Sequence, residues 1–256
     1  MTDLLLLFAA GIGAGILGYY TGLASLTSYP ALIFVGVPPV LANTTNTVAI
    51  IGTGIGSIAG AWKRIRNARG GFKLWPQIIL SFFAGIAGAI LLLVAGSSVF
   101  ETLVPWFILI GTILFFFAPA LRQRMMENTG REQAHIALYM LALAGATFYC
   151  GYFSAGAGMI ILAIMALMTN VHLGDALALK AVMVLVANVA ASLVFIIQGR
   201  VLWPEAIAMG IGAFLGGFIA PKLQRFIPEF WLRVFVIIGG VLLAAWLFLR
   251  NLGVTI

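Results

Sequence analysis

Eight apolar stretches, each about as long as a bilayer is thick, run through this chain and leave little room for anything else. They are Leu4–Gly22, Asn43–Trp62, Trp75–Gly96, Leu103–Leu121, Ala134–Phe153, Ala176–Gln198, Pro204–Ala220 and Trp231–Arg250. A membrane-spanning helix needs about 20 mostly apolar residues. With 63% of the 256 residues hydrophobic and 8% charged, a water-soluble fold is excluded, because its surface would be largely hydrocarbon. The start, Met1-Thr2-Asp3-Leu4, carries an acid and no basic region, and its apolar run continues past any cleavage point. It reads as a first membrane helix, not a signal peptide. The fold class expected is therefore an all-α polytopic membrane protein, in a single transmembrane domain over 1–256.

Two further apolar segments, Leu26–Val37 and Met159–Met168, are short for a full span, and each follows a glycine-rich break. Short or broken segments at corresponding places in two halves point to a transporter binding site; tilted ordinary helices are the plainer alternative. The halves do correspond. Gly18-Tyr19-Tyr20-Thr21 echoes Gly151-Tyr152-Phe153-Ser154, Ala42 through Val48 lies over Ala176 through Val182, and Leu74-Trp75-Pro76 recurs as Leu202-Trp203-Pro204. Three matches in one order predict an internal duplication. Repeat one covers about 4–121 and repeat two about 134–250, with a cytoplasmic linker at 122–133.

Each repeat has four or five transmembrane helices, depending on whether its short segment crosses. Five spans per repeat make the second half inverted; four make the halves parallel. Lysine and arginine accumulate on the cytoplasmic side. The inverted arrangement puts Lys63, Arg64, Arg66, Arg69, Lys73, Arg122, Arg124, Arg131, Lys222, Arg225 and Arg233 inside, and Arg200 and Arg250 outside. The parallel arrangement exchanges Lys222, Arg225 and Arg233 for Arg200 and Arg250. Inversion is favoured slightly, and both place the two termini on one side. The net charge of +7 then reflects cytoplasmic loops, and nucleic acid is not expected as a partner.

Several functions are excluded by what the spans lack. All seven acids (Asp3, Glu101, Glu127, Glu132, Asp175, Glu205 and Glu229) fall at expected helix ends or loops. A carrier that moves protons on a buried carboxylate is unsupported, as are paired-carboxylate catalysis and a carboxylate-ringed cation pore. No nucleotide-binding GxxxxGK[ST] loop occurs. One cysteine, Cys150, permits neither an intrachain disulfide nor a CxxC motif, and two histidines, His135 and His172, are too few for a metal cluster. No enzyme activity and no cofactor are expected.

The spans do contain neutral donors. Ser25, Tyr29, Asn43, Asn46 and Thr47 in the first half, and Tyr152, Ser154 and Asn188 in the second, gather at the breaks or on the helices that follow them. Helix N-termini favour anions, and hydroxyls and amides beside them can replace an oxyanion's hydration shell. Lys180 is the one basic residue inside an expected span, and the repeat alignment sets it opposite Asn46. A fixed cation there suits an anion pathway. The competing readings are interhelical glue for the amides and hydroxyls, scattered Thr53, Ser57 and Ser192 above all, and snorkelling or pairing with Asp175 for the lysine. Ser25, Tyr29, Asn43, Asn46, Thr47, Tyr152, Ser154 and Asn188, with Lys180, are the candidate substrate-binding set of nine.

This chain resembles the sulfite exporter TauE/SafE family, also described as the TSUP membrane transporters. The resemblance rests on the stretch GLASLTSYPALIFVGVPP beginning at Gly22, on Ala42-Asn43-Thr44-Thr45-Asn46-Thr47, and on Tyr149 through Gly158. Ala178-Leu179-Lys180 followed by Asn188, and Gly199-Arg200-Val201-Leu202-Trp203 before Pro204, complete it. It implies two related repeats in one helical domain of the bacterial inner membrane. It also implies movement, often outward, of sulfite, sulfonates and related small organic anions. Many members carry three glycines where this chain has Leu23-Ala24-Ser25, and a glycine in place of Ser154. Added hydroxyls at the breaks bear on substrate choice. Two other functions remain open at this point: a passive anion channel of the same fold, and a structural membrane subunit that transports nothing. The partners expected are a small anion and the lipid bilayer, with a second copy of the chain left open.

Overall fold

The computed structural model describes residues 2–68, 71–117 and 135–223, together with 120, 123–124, 237–238, 241, 244–246 and 248. The expected last span, Trp231–Arg250, and the linker 122–133 lie largely outside the described residues. Regular structure among them is entirely helical: α1 (Thr2–Thr21), α2 (Ser25–Phe34), α3 (Pro39–Ala49), α4 (Ile51–Asn67), α5 (Leu74–Phe116), α6 (Ile136–Tyr152), α7 (Ala157–Met168), α8 (Leu173–Ile197) and α9 (Trp203–Leu223). Four of them, α1, α5, α8 and α9, are long and apolar enough to cross a membrane.

Both short segments form short helices, 10 residues in α2 and 12 in α7. Two expected spans differ in detail. Asn43–Trp62 starts earlier, at Pro39, where proline suits the first helical turn, and it bends at Ile50 into α3 and α4. Trp75–Gly96 and Leu103–Leu121 are two helices that meet without a loop in α5, at a kink where Gly96 takes φ +80°.

Helix directions follow from which residues face each other. A Cβ at Gly52, Gly56 or Gly60 of α4 would run into the carbonyls of Gly210, Phe214 and Phe218 in that order, so α4 and α9 run parallel. Gly11 and Gly15 of α1 meet the carbonyls of Met209 and Ala213, so α1 runs with them. In a second group, Ser81 of α5 faces Met183 of α8 and Gly85 faces Ala187. Gln77 bonds Tyr139 of α6, and Gly88 meets Phe148. The first part of α5, α6 and α8 are therefore parallel to one another. Between the groups, Gly54 lies on Leu185 and Arg64 on Gly174, which makes α4 antiparallel to α8. Small residues allow this close backbone approach, and dispersion across it substitutes for the hydrophobic drive that lipid removes. α1 and α4 point the same way with α2 between them, so the chain returns through α2 before α3 begins.

Candidate functional site

The two glycine-rich breaks meet in the interior. Gly22 follows α1 with φ +72°, and a Cβ there would fall 2.5 Å from the backbone of Gly158. Gly156 opens α7 at φ +86°. Positive φ is cheap only for glycine, and the contact leaves no space for a side chain. Unwound backbone at this depth is tolerable only when buried in protein or lining a cavity.

Beside this crossing lies a cavity of about 30 Å³, walled by Gly18, Gly22, Thr53, Ser57, Ser154, Lys180 and Asn188, with Leu185 and other apolar residues completing it. Gly54 and Leu185, which also line it, stand near the midpoints of the α3–α4 run and of α8, so the cavity lies at mid-depth.

Lys180 sits about 10 Å in from the start of α8 at 1.5 Å per residue, and it is 1% exposed. Its Nζ donates to the carbonyls of Tyr19 at 2.8 Å and Gly18 at 3.2 Å. These belong to the last turn of α1, where unsatisfied carbonyls and the negative dipole end favour a cation. An ammonium needs such partners, because a bare charge in the membrane interior is costly. The side chain does not snorkel to the interface.

Asn188, one face along α8 from Lys180, accepts a bond from the Cys150 thiol at 3.5 Å, and the same thiol lies 3.7 Å from Ser154 Oγ. Lys180, Ser154 and Asn188 are thus brought together on one wall. The first-half candidates lie elsewhere. Asn46 Nδ2 donates to Ser25 Oγ at 3.0 Å, tying α3 to the start of α2. Asn43 Nδ2 donates to the Tyr152 carbonyl at 3.0 Å, at the end of α6. Thr47 Oγ1 returns its proton to the Asn43 carbonyl, 2.8 Å away. Tyr29 packs edge-on against Phe153 and the Tyr152 ring against Phe107, with Phe100 closing an aromatic group round the second break. Neither Asn43 nor Asn46 is on the cavity wall; the Oδ1 of each is buried without a partner among the described residues.

Two further residues on the wall, Thr53 and Ser57, are not among the nine candidates from the sequence. Their spacing of four on one helix was the signal available, since it sets both hydroxyls on one face.

Residues 7–247 match the family model described as "Sulfite exporter TauE/SafE". Curated relatives agree across nearly the whole chain. A "Probable membrane transporter protein" of Haemophilus influenzae is 27% identical over 245 residues, covering 95% of this chain and 94% of its own. "Probable membrane transporter protein YfcA" of Escherichia coli K12 is 24% identical over 239 residues, covering 93% and 87%. "Probable membrane transporter protein ORF9" of a Sinorhizobium species is 26% identical over 224 residues, covering 84% and 81%. With several apolar helices and a match of this extent, the chain is a multi-pass membrane protein and belongs to the TauE/SafE sulfite exporter family.

Proposed function

We propose that this protein carries a small sulfur oxyanion, sulfite or a sulfonate, outward across the bacterial inner membrane, and that the anion binds in the mid-depth cavity beside Lys180. The observation that carries this reading is a buried ammonium at mid-depth whose neighbours on the wall, Ser154 and Asn188, are neutral. A cation there draws in an anion, and neutral donors can take over its hydration without repelling it. Outward movement needs no buried carboxylate, since an inside-negative potential expels an anion by about 2.3 kcal/mol per charge per 100 mV.

The two repeats are read as inverted. α1, α4 and the first part of α5 correspond to α6, α8 and α9, and each runs opposite to its counterpart. The C-terminal ends of α4 and α9, with Lys63, Arg64, Arg66 and Lys222, lie at one side, and Arg200 lies at the other. The positive-inside rule makes the first side cytoplasmic. Alternating access would then rock the repeats about a fixed central site.

The test is sulfite flux from proteoliposomes under an imposed potential. A carrier gives flux that saturates with sulfite, accelerates with an inside-negative potential and supports counterflow. Flux without saturation or counterflow identifies a passive pore, and no flux for sulfite or any short sulfonate overturns the substrate class.

A further inference from the structure

Six buried hydroxyls among the described residues are spoken for by the turn that precedes them. Thr21, Ser28, Thr47, Thr112, Thr147 and Thr169 each donate to the carbonyl four residues earlier, at 2.7–3.1 Å. This back-bond is the usual refuge of a hydroxyl in a membrane helix. Thr53 and Ser57 of α4 depart from it. They are 8% and 1% exposed, and neither hydroxyl has a hydrogen-bond partner among the described residues. Both residues wall the Lys180 cavity.

The surroundings keep this arrangement open. The methyl branch of Thr53 packs at Gly18, where a Cβ would meet it at 2.8 Å. Ser57 Oγ lies 3.2 Å from where a Cβ on Gly217 of α9 would stand, so glycine keeps the space beside that hydroxyl clear. An unmet buried hydroxyl is destabilising. Two of them on one helix face, at the wall of one cavity that also holds a buried cation, are the mark of donors kept for a ligand.

We propose that Thr53 and Ser57 donate hydrogen bonds to the oxygen atoms of the transported anion, so that the first repeat grips the ligand that Lys180, Asn188 and Ser154 of the second repeat attract. This rests on the reading of the Lys180 cavity as the anion site and assigns the ligand's oxygens their partners. A sulfite or sulfonate group, with three oxygens around sulfur, matches three donors: the ammonium and these two hydroxyls. An anion without several acceptor oxygens, such as chloride, gains little from them.

The experiment uses purified full-length protein, with sulfite, methanesulfonate and chloride as probes. Half-saturating concentrations are measured by ligand-induced thermal shift and by proteoliposome flux. The variants are Thr53→Val, Ser57→Ala and Thr53→Ser, with Lys180→Met as reference. Thr53→Val and Ser57→Ala should each raise the half-saturating sulfite or methanesulfonate concentration by about tenfold, the scale of one hydrogen bond to a charged group. The ligand-free Tm should stay level or rise, because an unmet hydroxyl is replaced by a methyl. Thr53→Ser should restore sulfite binding, and chloride should be unaffected throughout. A lowered ligand-free Tm with unchanged half-saturation makes the hydroxyls interhelical glue and overturns the proposal. If Lys180→Met also binds sulfite like the parent protein, the site itself is misplaced and both readings fall together; if only Lys180→Met is impaired, the site stands and the role of Thr53 and Ser57 does not.

Discussion

The two breaks solve one problem in two ways. Each needs a partner for a carbonyl where a first helix ends, α1 at Tyr19 and α6 at Tyr152. Each is met by a side chain from a helix distant in sequence: Lys180 of α8 in the first case and Asn43 of α3 in the second. The first break has a charged cap and a polar cavity beside it. The second has a neutral cap and is packed by Tyr29, Phe100 and Phe107. Among the described residues, a charged cap thus stands at one break only. An amide closes a helix end as well as an ammonium does, so capping alone does not require Lys180. On the proposed function, the charged cap is the element that attracts the anion, with Ser154 of the second break lining the same cavity.

That division can be broken by substitution. Lys180→Met should have the largest effect, lowering sulfite flux in proteoliposomes by about a hundredfold or more, since removing one partner of a buried charged contact costs about 2–5 kcal/mol. Flux within threefold of the parent would end the claim that charge distinguishes the breaks. Gly22→Ala comes next. It forces alanine into φ +72° against the Gly158 backbone, and left-handed geometry with overpacking should cost roughly 2–5 kcal/mol of stability. Its melting temperature in detergent should fall well below the parent's, and an unchanged value would mean that the crossing is not tight. Asn43→Leu should cost about 1–3 kcal/mol by orphaning the Tyr152 carbonyl, while the concentration of sulfite giving half-maximal flux stays within about threefold. Should that concentration rise as far as in Thr53→Val, the second break would be a binding element too. Thr47→Val should be the mildest, within about 0.5 kcal/mol in Tm-derived stability, because its hydroxyl serves only the carbonyl of its own helix.

Much of this was legible in the sequence, for reasons that differ by element. α1, α6, α8 and α9 declare themselves because a bilayer needs a run of apolar residues and nothing more subtle. The short helices α2 and α7 were signalled by glycine clusters on their N-terminal sides. The bend at Ile50 was not, since it has neither glycine nor proline at that position and arises where α3 and α4 lean on different partners. In α5, a kink at Gly96 divides two helices where the sequence ends its first span, and Ser97 through Thr102 are helical where a loop was expected. At the site, Lys180 stood out because a cation inside a span has few ordinary explanations. Asn43 and Asn46 stood out equally, but their place on the helix could not say that they face the two breaks rather than the cavity. Thr53 and Ser57 were masked by chemistry: a hydroxyl in a membrane helix normally bonds its own backbone, and composition carries no information on which rotamer prevails.

The parallel grouping of α1, α4 and α9 has a consequence for synthesis. The glycine-lined faces of α1 and α4, at Gly11, Gly15, Gly52, Gly56 and Gly60, pack against α9, which begins at Trp203. At roughly 5–20 residues per second, a ribosome needs on the order of ten seconds to deliver it. During that interval the first repeat's smoothest surfaces face lipid or the insertion machinery, and neither repeat holds a complete interface of its own. The final bundle is assembled by exchange: α9 goes to the helices made first, and α5 receives those made later. A chain cut within the linker 122–133 should therefore yield halves that are unstable singly and recover when produced together.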